Sequence, residues 1–448
     1  MPLFQRLCLL PVLLMLLALP AMGKTAPDGP EVALRTLANG LQVVAIPDHR
    51  APVVTHMVWY KAGSADEPRG KSGIAHFLEH LMFKGTKKVP AGEFSRKVAE
   101  IGGQENAFTS YDFTAYYQKV SPDALEMVMG YEADRMENLV LAEDVIETEK
   151  KVILEERRER VDSSPGAILD EAADAALFVN HPYGTPVIGW QHEMLALTRD
   201  DAIAFYDRFY SPNNAVLVVA GDVDPKTVFA LAEKIYGGVT RRVAEIDHQR
   251  AAEPEPAVSR SLEYFDERVT TPSFERTYLV PSYMSAEPGE AEALDLLSAV
   301  LGGSSSARLY RKLVTGNEKA ISAGAWYQGT ARNLGKFGFY GRPRGDTALD
   351  EIEAAIDAEI ADIIENGVTQ EELDRQRNAL VKSVIFERDS QTTLAQLYGT
   401  MLALDGTIED IADWPERLGR VTVDDVRDVA RKYLKKPRSV TTYLRPAS

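Results

Sequence analysis

The sequence is almost free of cysteine, and this scarcity limits the chemistry that the protein can carry. The single cysteine, Cys8, lies in an apolar segment at the N-terminus. If that segment is removed, the remaining chain has no disulfide, no zinc-thiolate site and no cysteine nucleophile. Any metal ion must then be bound by histidine and carboxylate side chains.

Positive charge is also in short supply. The chain has 50 lysines and arginines against 67 aspartates and glutamates, which gives a net charge of −17. Such a chain repels phosphate, which argues against nucleic acid as a partner and favours solubility. The 448 residues are 45% hydrophobic and 26% charged, an ordinary globular composition with enough length for two or more domains.

Long apolar runs are confined to the N-terminus. Residues 1–23 combine a positive charge at Arg6, an apolar run over residues 7–19 and a small residue at Gly23, which is the pattern of a cleavable signal peptide. An uncleaved membrane anchor is the alternative, but the run is shorter than the roughly 20 residues that span a bilayer. We therefore expect a periplasmic or secreted protein with no stable membrane anchor.

The rest of the chain divides into two halves. Residues 241–258 lose apolar periodicity and gather charge and proline, as linkers do. This predicts an N-terminal domain over residues 31–240 and a C-terminal domain over residues 259–448. In the first half, strand-like sequence precedes a helix that is predicted over residues 72–83.

The two halves also align as an internal repeat. The segment GIAHFLEHLMFKGT, residues 73–86, aligns without gaps to AEALDLLSAVLGGS, residues 291–304. The alignment places the polar side chains of HFLEH opposite Leu294, Leu297 and Ser298. The second half is therefore predicted to be a repeat without metal ligands.

The segment HFLEH carries the clearest chemical signal. Residues four apart lie on one face of a helix, so His76 and His80 can offer their imidazoles to one ion, with Glu79 beside them. A catalytic zinc ion takes three protein ligands and leaves a position for water, whose proton a neighbouring carboxylate can accept. Glu79 is the candidate for that base. The alternative is a surface helix that carries these residues by chance, and the presence of only seven histidines in the chain argues against it.

HxxEH reverses the HExxH motif and is the signature of the inverzincins. The segment AGSADEPRGKSGIAHFLEHLMFKGT resembles the pitrilysin, insulin-degrading enzyme and mitochondrial processing peptidase family, and the likeness continues through GGQENAFTSYDFTAYY, HPYGTPVIG and NNAVLVVAGDVDP. The resemblance implies an α+β fold with two homologous domains, each a mainly antiparallel sheet packed with helices, that form half of a clamshell. It also implies a zinc-dependent endopeptidase with one Zn²⁺ per chain and peptides or unfolded polypeptides as substrates.

The resemblance places a third metal ligand on a later helix. In KKVILEERRER the family pattern falls on Glu156, and two turns earlier Glu149 matches a residue that supports the site. A solvated acidic helix is the alternative interpretation of this segment. Glu155 points about 100° away from Glu156 on a helix and cannot share its role.

The strand-like segment NAFTSYDFT resembles the edge strand with which the family binds extended substrates. We expect Asn106, Ala107, Phe108 and Thr109 to bind substrate, because a peptide that adds to a sheet edge is held by backbone hydrogen bonds. A purely structural strand is the alternative. His181, in HPYG, is interpreted as a structural or pocket-lining residue rather than a ligand.

The second half departs from the family pattern. There the family supplies an arginine and a tyrosine that hold the substrate backbone and stabilise the oxyanion. Alignment of SARLYRKLVTGNEKAIS puts Val314 and Ile321 at those positions. Arg276 and Tyr283 have the same separation, but they lie in strand-like sequence, and we interpret the match as a coincidence.

The loss of this pair implies a partner. In family members built from two chains, one subunit bears HxxEH and its sister bears the arginine and the tyrosine. The resemblance therefore predicts the metal-bearing subunit of a heterodimer with such a sister chain. Two alternatives stay open: a noncatalytic peptide-binding or scaffold subunit, and a self-sufficient homodimeric peptidase.

Overall fold

The computed structural model describes residues 31–248, 250–387 and 389–447, and it contains two β-sheets with helices packed on them. The predicted signal peptide, residues 1–23, lies outside the described residues. Within the described ranges, no helix combines the length and the apolar content that a bilayer span requires.

The strands and helices alternate irregularly along the chain. The first sheet contains β1 (Ala33–Thr36), β2 (Gln42–Pro47), β3 (Val54–Tyr60), β4 (Gln104–Thr109), β5 (Thr114–Val120) and β6 (Ala215–Gly221). The second sheet contains β7 (Arg260–Asp266), β8 (Ser273–Pro281), β9 (Ala320–Gln328), β10 (Leu334–Pro343) and β11 (Ser439–Pro446). The helices are α1 (Ile74–Leu81), α2 (Glu93–Glu100), α3 (Leu125–Asn138), α4 (Glu143–Arg157), α5 (Pro165–Leu177), α6 (Gln191–Ala196), α7 (Arg199–Phe209), α8 (Pro225–Tyr236), α9 (Glu290–Leu301), α10 (Leu349–Asn366), α11 (Gln370–Glu387), α12 (Gln391–Ala403), α13 (Ile408–Ala412), α14 (Trp414–Arg420) and α15 (Val423–Tyr433).

The two sheets share one topology. The first has the strand order β1-β2-β6-β3-β5-β4 and the second has the order β7-β11-β8-β10-β9. One pair in each sheet is parallel, β2 with β6 and β7 with β11, and the other pairs are antiparallel. β1 adds a strand to the first sheet. The predicted fold of two similar domains with mainly antiparallel sheets is therefore confirmed.

The centre of the first sheet is covered on both faces. Every residue of β3 and β6 is buried, and a continuous apolar run such as AVLVVAG is typical of strands in that position. On one face, α1, α3, α7 and α8 contribute to the main core of the first half. The second half has its own core, in which α9, α10 and α15 pack against the second sheet.

The two halves exchange helices. α12, from the second half, covers the other face of the first sheet, where Leu394 joins a buried cluster with Val218. Gly399 allows the close approach, because a Cβ there would lie 2.1 Å from the indole nitrogen of Trp59. In return α5, from the first half, packs against β7, β8 and β11. The division of the chain into the two predicted domains stays a prediction. Both α5 and α12 pack across the predicted boundary.

The linker, residues 241–258, contains no helix or strand in its described part, but it is anchored. The side chain of Arg250 is 3% exposed and donates to Asp66 at 2.9 Å and to Asn333 at 3.1 Å. Asp66 belongs to the first half and Asn333 to the second. One linker side chain therefore connects the two halves through buried polar contacts.

Candidate metal centre

Helix α1 carries the HFLEH segment, and its start is fixed by a remote carboxylate. The helix begins after Gly73, whose φ of 87° is left-handed and whose added Cβ would lie 2.7 Å from the carbonyl oxygen of Ile188. Glycine supplies no side-chain cap. Glu67 takes that role, because its carboxylate accepts hydrogen bonds from the backbone N–H groups of Gly73 and Ala75, each at 2.9 Å.

Three side chains converge where α1 meets α4. The Nε2 atoms of His76 and His80 lie 3.6 Å and 3.3 Å from one oxygen, Oε2 of Glu156. The three potential ligand atoms lie within 4.8 Å of one another. A tetrahedral zinc ion with bonds of about 2.0–2.1 Å separates its ligand atoms by about 3.3 Å, so these residues fit such an ion.

A buried oxygen atom of Glu156 that lacks a hydrogen-bond partner also supports a metal ion at this position. Glu156 Oε2 is buried and has no hydrogen-bond partner among the described residues. A buried carboxylate oxygen without a donor is costly unless a cation neutralises it. Glu155, the neighbouring acid, is separate from this cluster, because its side chain is 68% exposed and pairs with Arg158 at 3.7 Å.

Glu149 lies behind His80. Its Oε1 is 3.0 Å from His80 Nδ1, so a proton on Nδ1 leaves Nε2 free to face Glu156. Its Oε2 is 2.6 Å from the Lys84 ammonium nitrogen. Burial opposes ionisation, but hydrogen bonds from His80 and Lys84 lower the pKa of Glu149 below its usual range. Sequence reasoning missed Lys84, although its position four residues after His80 could have indicated it.

The two imidazoles have different electrostatic surroundings. Burial, and then the nearby His80, lowers the pKa of His76. Burial also disfavours the charge on His80, but the hydrogen bond with Glu149 and the close carboxylate of Glu156 raise the pKa of His80 to about 9. The His80 imidazole, 3.3 Å away, in turn lowers the pKa of Glu156. The cluster therefore attracts positive charge to the space between the imidazoles and the carboxylate.

Glu79 lies beside this cluster and contacts the edge of the first sheet. Its Oε2 accepts a hydrogen bond from the Thr109 hydroxyl at 2.5 Å. Burial raises the pKa of Glu79, and the hydrogen bond from Thr109 opposes the rise. A buried carboxylate with a raised pKa and a fixed orientation is suited to accept a proton.

β4 forms an edge of the first sheet and one wall of a cleft of about 1060 Å³ that the metal-site residues also line. Asn106, Ala107, Phe108 and Thr109 all lie in this strand and line the cleft. The ring of Phe108 packs edge-on against Trp59 with a centroid distance of 5.4 Å. The Phe108 side chain is thus engaged with the sheet, while the free edge offers its backbone groups.

Arg160 lies in the same cleft, and sequence reasoning missed it. It belongs to a π-helical turn, Arg158–Asp162, that follows α4 directly. Its Nη1 is 2.8 Å from Oε1 of Glu156, and its side chain is 73% exposed. The signal that could have indicated it is its position four residues after Glu156.

The positions where the family carries an arginine and a tyrosine are apolar here. Val314 is 8% exposed, and Ile321 is 54% exposed at the start of β9. Arg276 donates to Thr441 at 2.9 Å within the second sheet, and Tyr283 donates to the carboxylate of Asp295 on α9. Both are therefore engaged inside the second half.

His181 lies outside the metal cluster. It is 5% exposed, and its Nδ1 accepts a hydrogen bond from the backbone N–H of Tyr183 at 3.2 Å. This contact accounts for it as a structural residue at the start of a short turn.

Helix α1 carries two histidines with a glutamate between them, α4 adds a carboxylate, and a sheet edge lies beside them. This is the architecture of an inverzincin. The chain belongs to the M16, or insulinase, family of peptidases. The family model for insulinase, peptidase family M16, matches residues 42–190. The family model for the peptidase M16 inactive domain matches residues 196–380.

Named relatives agree with this assignment. The chain is 32% identical to the zinc protease PqqE of Helicobacter pylori over 414 residues, which cover 92% of each chain. It is 27% identical to the probable mitochondrial-processing peptidase subunit beta of Arabidopsis thaliana, with coverage of 91% of this chain and 77% of that one.

Solved structures show the same fold. The crystal structure of a protease from Helicobacter pylori matches with a TM-score of 0.86 and 31% identity, and the match covers 93% of this chain and 100% of that one. The periplasmic protease PqqL from Escherichia coli matches with a TM-score of 0.81 and 21% identity, over 94% of this chain and 48% of that one.

Proposed function

We propose that the protein is a zinc-dependent endopeptidase that hydrolyses peptides or unfolded polypeptides. The observation that carries the proposal is the convergence of His76 and His80 on one oxygen of Glu156, with Glu79 beside them. A zinc ion held by these three ligands would polarise the scissile carbonyl group and acidify a water molecule. The relatives named zinc proteases support the choice of metal and of reaction.

Glu79 moves the proton in this proposal. As the water oxygen adds to the carbonyl carbon, the Glu79 carboxylate accepts the proton that the water loses. The same carboxyl group then gives a proton to the amide nitrogen, which leaves as an amine when the C–N bond breaks. The raised pKa of Glu79 suits both transfers, and Thr109 keeps its carboxylate oriented.

Glu149 and Lys84 position the ligand His80. Because Glu149 accepts from Nδ1, the Nε2 lone pair faces the metal position. β4 would bind an extended peptide as an added strand, which favours chains that are not folded. The alternate residues of β4 whose backbone groups point away from β5 would form that edge.

The assembly is proposed to be a heterodimer in the periplasm or outside the cell. Val314 and Ile321 supply no polar group where the family has an arginine and a tyrosine, so a sister chain would supply them. The likeness of this whole chain to 48% of the PqqL chain supports a larger assembly that contains two units of this size. The signal-like residues 1–23 and the periplasmic location named for PqqL support export.

The test is cleavage of a quenched fluorescent peptide by the purified chain, alone and with a sister chain that carries the arginine and tyrosine pair. We expect chelator-sensitive cleavage that needs both chains and is lost in Glu79→Gln. Full activity of the single chain would contradict the heterodimer and favour the homodimer. Peptide binding without cleavage in either sample would identify a scaffold subunit and contradict the peptidase.

A further inference from the structure

We propose that Arg160 is a further catalytic residue of this site, whose guanidinium donates hydrogen bonds to the carbonyl oxygen of the scissile peptide bond. The inference rests on the proposed peptidase function. Its starting point is the position of the side chain, which lines the cleft together with His76, Glu79 and Glu156.

The side chain is held at one end and open at the other. Nη1 lies 2.8 Å from Oε1 of Glu156, while Oε2 of the same carboxylate faces the two imidazoles. A guanidinium has five N–H donors, and Glu156 is the partner that the described structure shows for this one. With 73% of the side chain exposed, the remaining donors are available to a molecule in the cleft.

The charge of Arg160 also reaches the reacting groups. Its guanidinium contacts the Glu156 carboxylate, whose other oxygen faces the two imidazoles, and it lines the cleft together with Glu79. A fixed cation so close to the site stabilises negative charge that develops there.

The reaction creates such a charge. When the water oxygen bonds to the carbonyl carbon and its proton passes to Glu79, the π electrons of the C=O bond move to the carbonyl oxygen. Val314 and Ile321 offer no side-chain donor for that oxygen at the two positions where the family carries an arginine and a tyrosine. Arg160 offers one from the first half, within the same cleft as the base.

Arg158 provides a matched control. It lies in the same π-helical turn, is 74% exposed and also pairs with a glutamate, Glu155, at 3.7 Å. It does not belong to the described lining of the cleft. Replacement of either arginine by alanine therefore removes one exposed cation and its ion pair with a glutamate. The variants differ in that Arg160 lines the cleft and its partner Glu156 is 16% exposed, whereas the partner of Arg158, Glu155, is 68% exposed.

The experiment compares Arg160→Ala, Arg160→Lys and Arg158→Ala in the assembly that cleaves peptide. Three quantities are measured: kcat/KM, bound zinc, and the dissociation constant of a phosphinic peptide, whose tetrahedral anion resembles the adduct. For Arg160→Ala we expect about a 100-fold loss of kcat/KM, a similar weakening of phosphinic peptide binding, and unchanged zinc content. Arg160→Lys should recover part of both losses, and Arg158→Ala should stay within about twofold of the parent.

Equal effects of the two alanine variants would overturn the assignment, because a general charge effect would then explain both. Loss of zinc in proportion to activity in Arg160→Ala would also overturn it, since Arg160 would then only support Glu156. A failure of the peptidase proposal gives a different result, because the parent assembly itself would then show no chelator-sensitive cleavage. The dissociation constants of the phosphinic peptide for Arg160→Ala and Arg158→Ala would still test the role of Arg160.

Discussion

Helices α1 and α9 occupy the same place in the two halves of the molecule and differ in what surrounds them. Each begins after a left-handed glycine, Gly73 with φ 87° and Gly289 with φ 89°. If the two glycines are taken as equivalent, each residue of α1 corresponds to a residue of α9 two positions earlier than in the gapless sequence alignment. Helix α9 is also longer than α1 at its C-terminal end. The residues of α9 that then correspond to the motif are Glu292, Asp295 and Leu296.

Helix α9 carries carboxylates at two of these positions, and both are covered by side chains of the second half. Asp295 accepts a hydrogen bond from Tyr283, whose hydroxyl accepts one from the indole of Trp414 at 2.7 Å. Glu292 is buried against Arg417 at 2.6 Å. In α1, by contrast, Glu79 lines an open cleft. The two helices therefore differ in the presence of imidazoles and in the cover over their acidic side chains.

The largest effect should come from Glu79→Gln. The amide keeps the shape and can still accept from Thr109, but it cannot take a proton from water. We expect kcat to fall by about 10³-fold or more while bound zinc stays at one per chain. Zinc content by metal analysis and cleavage of the quenched peptide measure the two outcomes. Retained activity would show that another group is the base.

Substitutions at the two apolar positions of the second half test whether the fold tolerates the arginine and the tyrosine of the family there. Val314 is 8% exposed, so Val314→Arg should destabilise the fold by about 3 kcal/mol or more, because an unpaired charge would be buried. Ile321 is 54% exposed, and Ile321→Tyr should change the free energy of unfolding by less than about 0.5 kcal/mol. Denaturant unfolding compares the two variants. A stable Val314→Arg protein would mean that the pair was lost without a change in packing.

Glu149→Gln should have a smaller effect on the metal site. The amide can still accept from His80, but it loses the charge that pairs with Lys84 and that favours a proton on Nδ1. We expect zinc affinity to fall by about 10- to 100-fold. Competition with a chromogenic chelator gives this number. Glu155→Gln is the matched control, since Glu155 is exposed on the same helix, and an equal loss there would argue against a specific role for Glu149.

Local spacing was sufficient for much of this site, and tertiary packing decides the rest. His76, Glu79 and His80 share one helical face, so the sequence alone predicts that they lie together. The contact of Thr109 with Glu79 depends on how β4 lies against α1, which local periodicity does not specify. Lys84 follows His80 by four residues, and Arg160 follows Glu156 by four residues, but many exposed cations have such spacing. Only the fold shows that Lys84 contacts Glu149 and that Arg160 contacts Glu156.

For the fold as well, the sequence pattern predicts the elements but not all of their packing. The repeat of strands was predictable because the two halves share a sequence pattern, and the shared strand order confirms it. The packing of α5 and α12 against the opposite half was not predictable from the sequence. An apolar helix face indicates that the helix packs against another element, but it does not indicate which half supplies that element. Charge and proline in residues 241–258 predict a linker, and the described part of this segment contains no helix or strand. They do not predict the buried contacts of Arg250.

The smallest expected effect concerns Asp295, the enclosed counterpart of Glu79. Burial raises the pKa of Asp295 from its ordinary value of 3.8 to about 6, and the hydrogen bond from Tyr283 only partly opposes the rise. The folded state therefore binds this proton more tightly than the unfolded state does. The contribution of Asp295 to stability is greatest below pH 3.8 and is lost as the pH rises toward about 6.

Asp295→Asn removes this dependence, because an amide stays neutral and can still accept from Tyr283. At pH 7 the variant should be more stable than the parent by about 1 to 2 kcal/mol, and the gain should shrink as the pH falls to 4. Urea unfolding at several pH values between 4 and 8 measures the difference. Activity should not change, because α9 does not line the described cleft. A variant that is less stable than the parent at pH 7 would mean that the folded state favours the charged form of Asp295, contrary to this prediction.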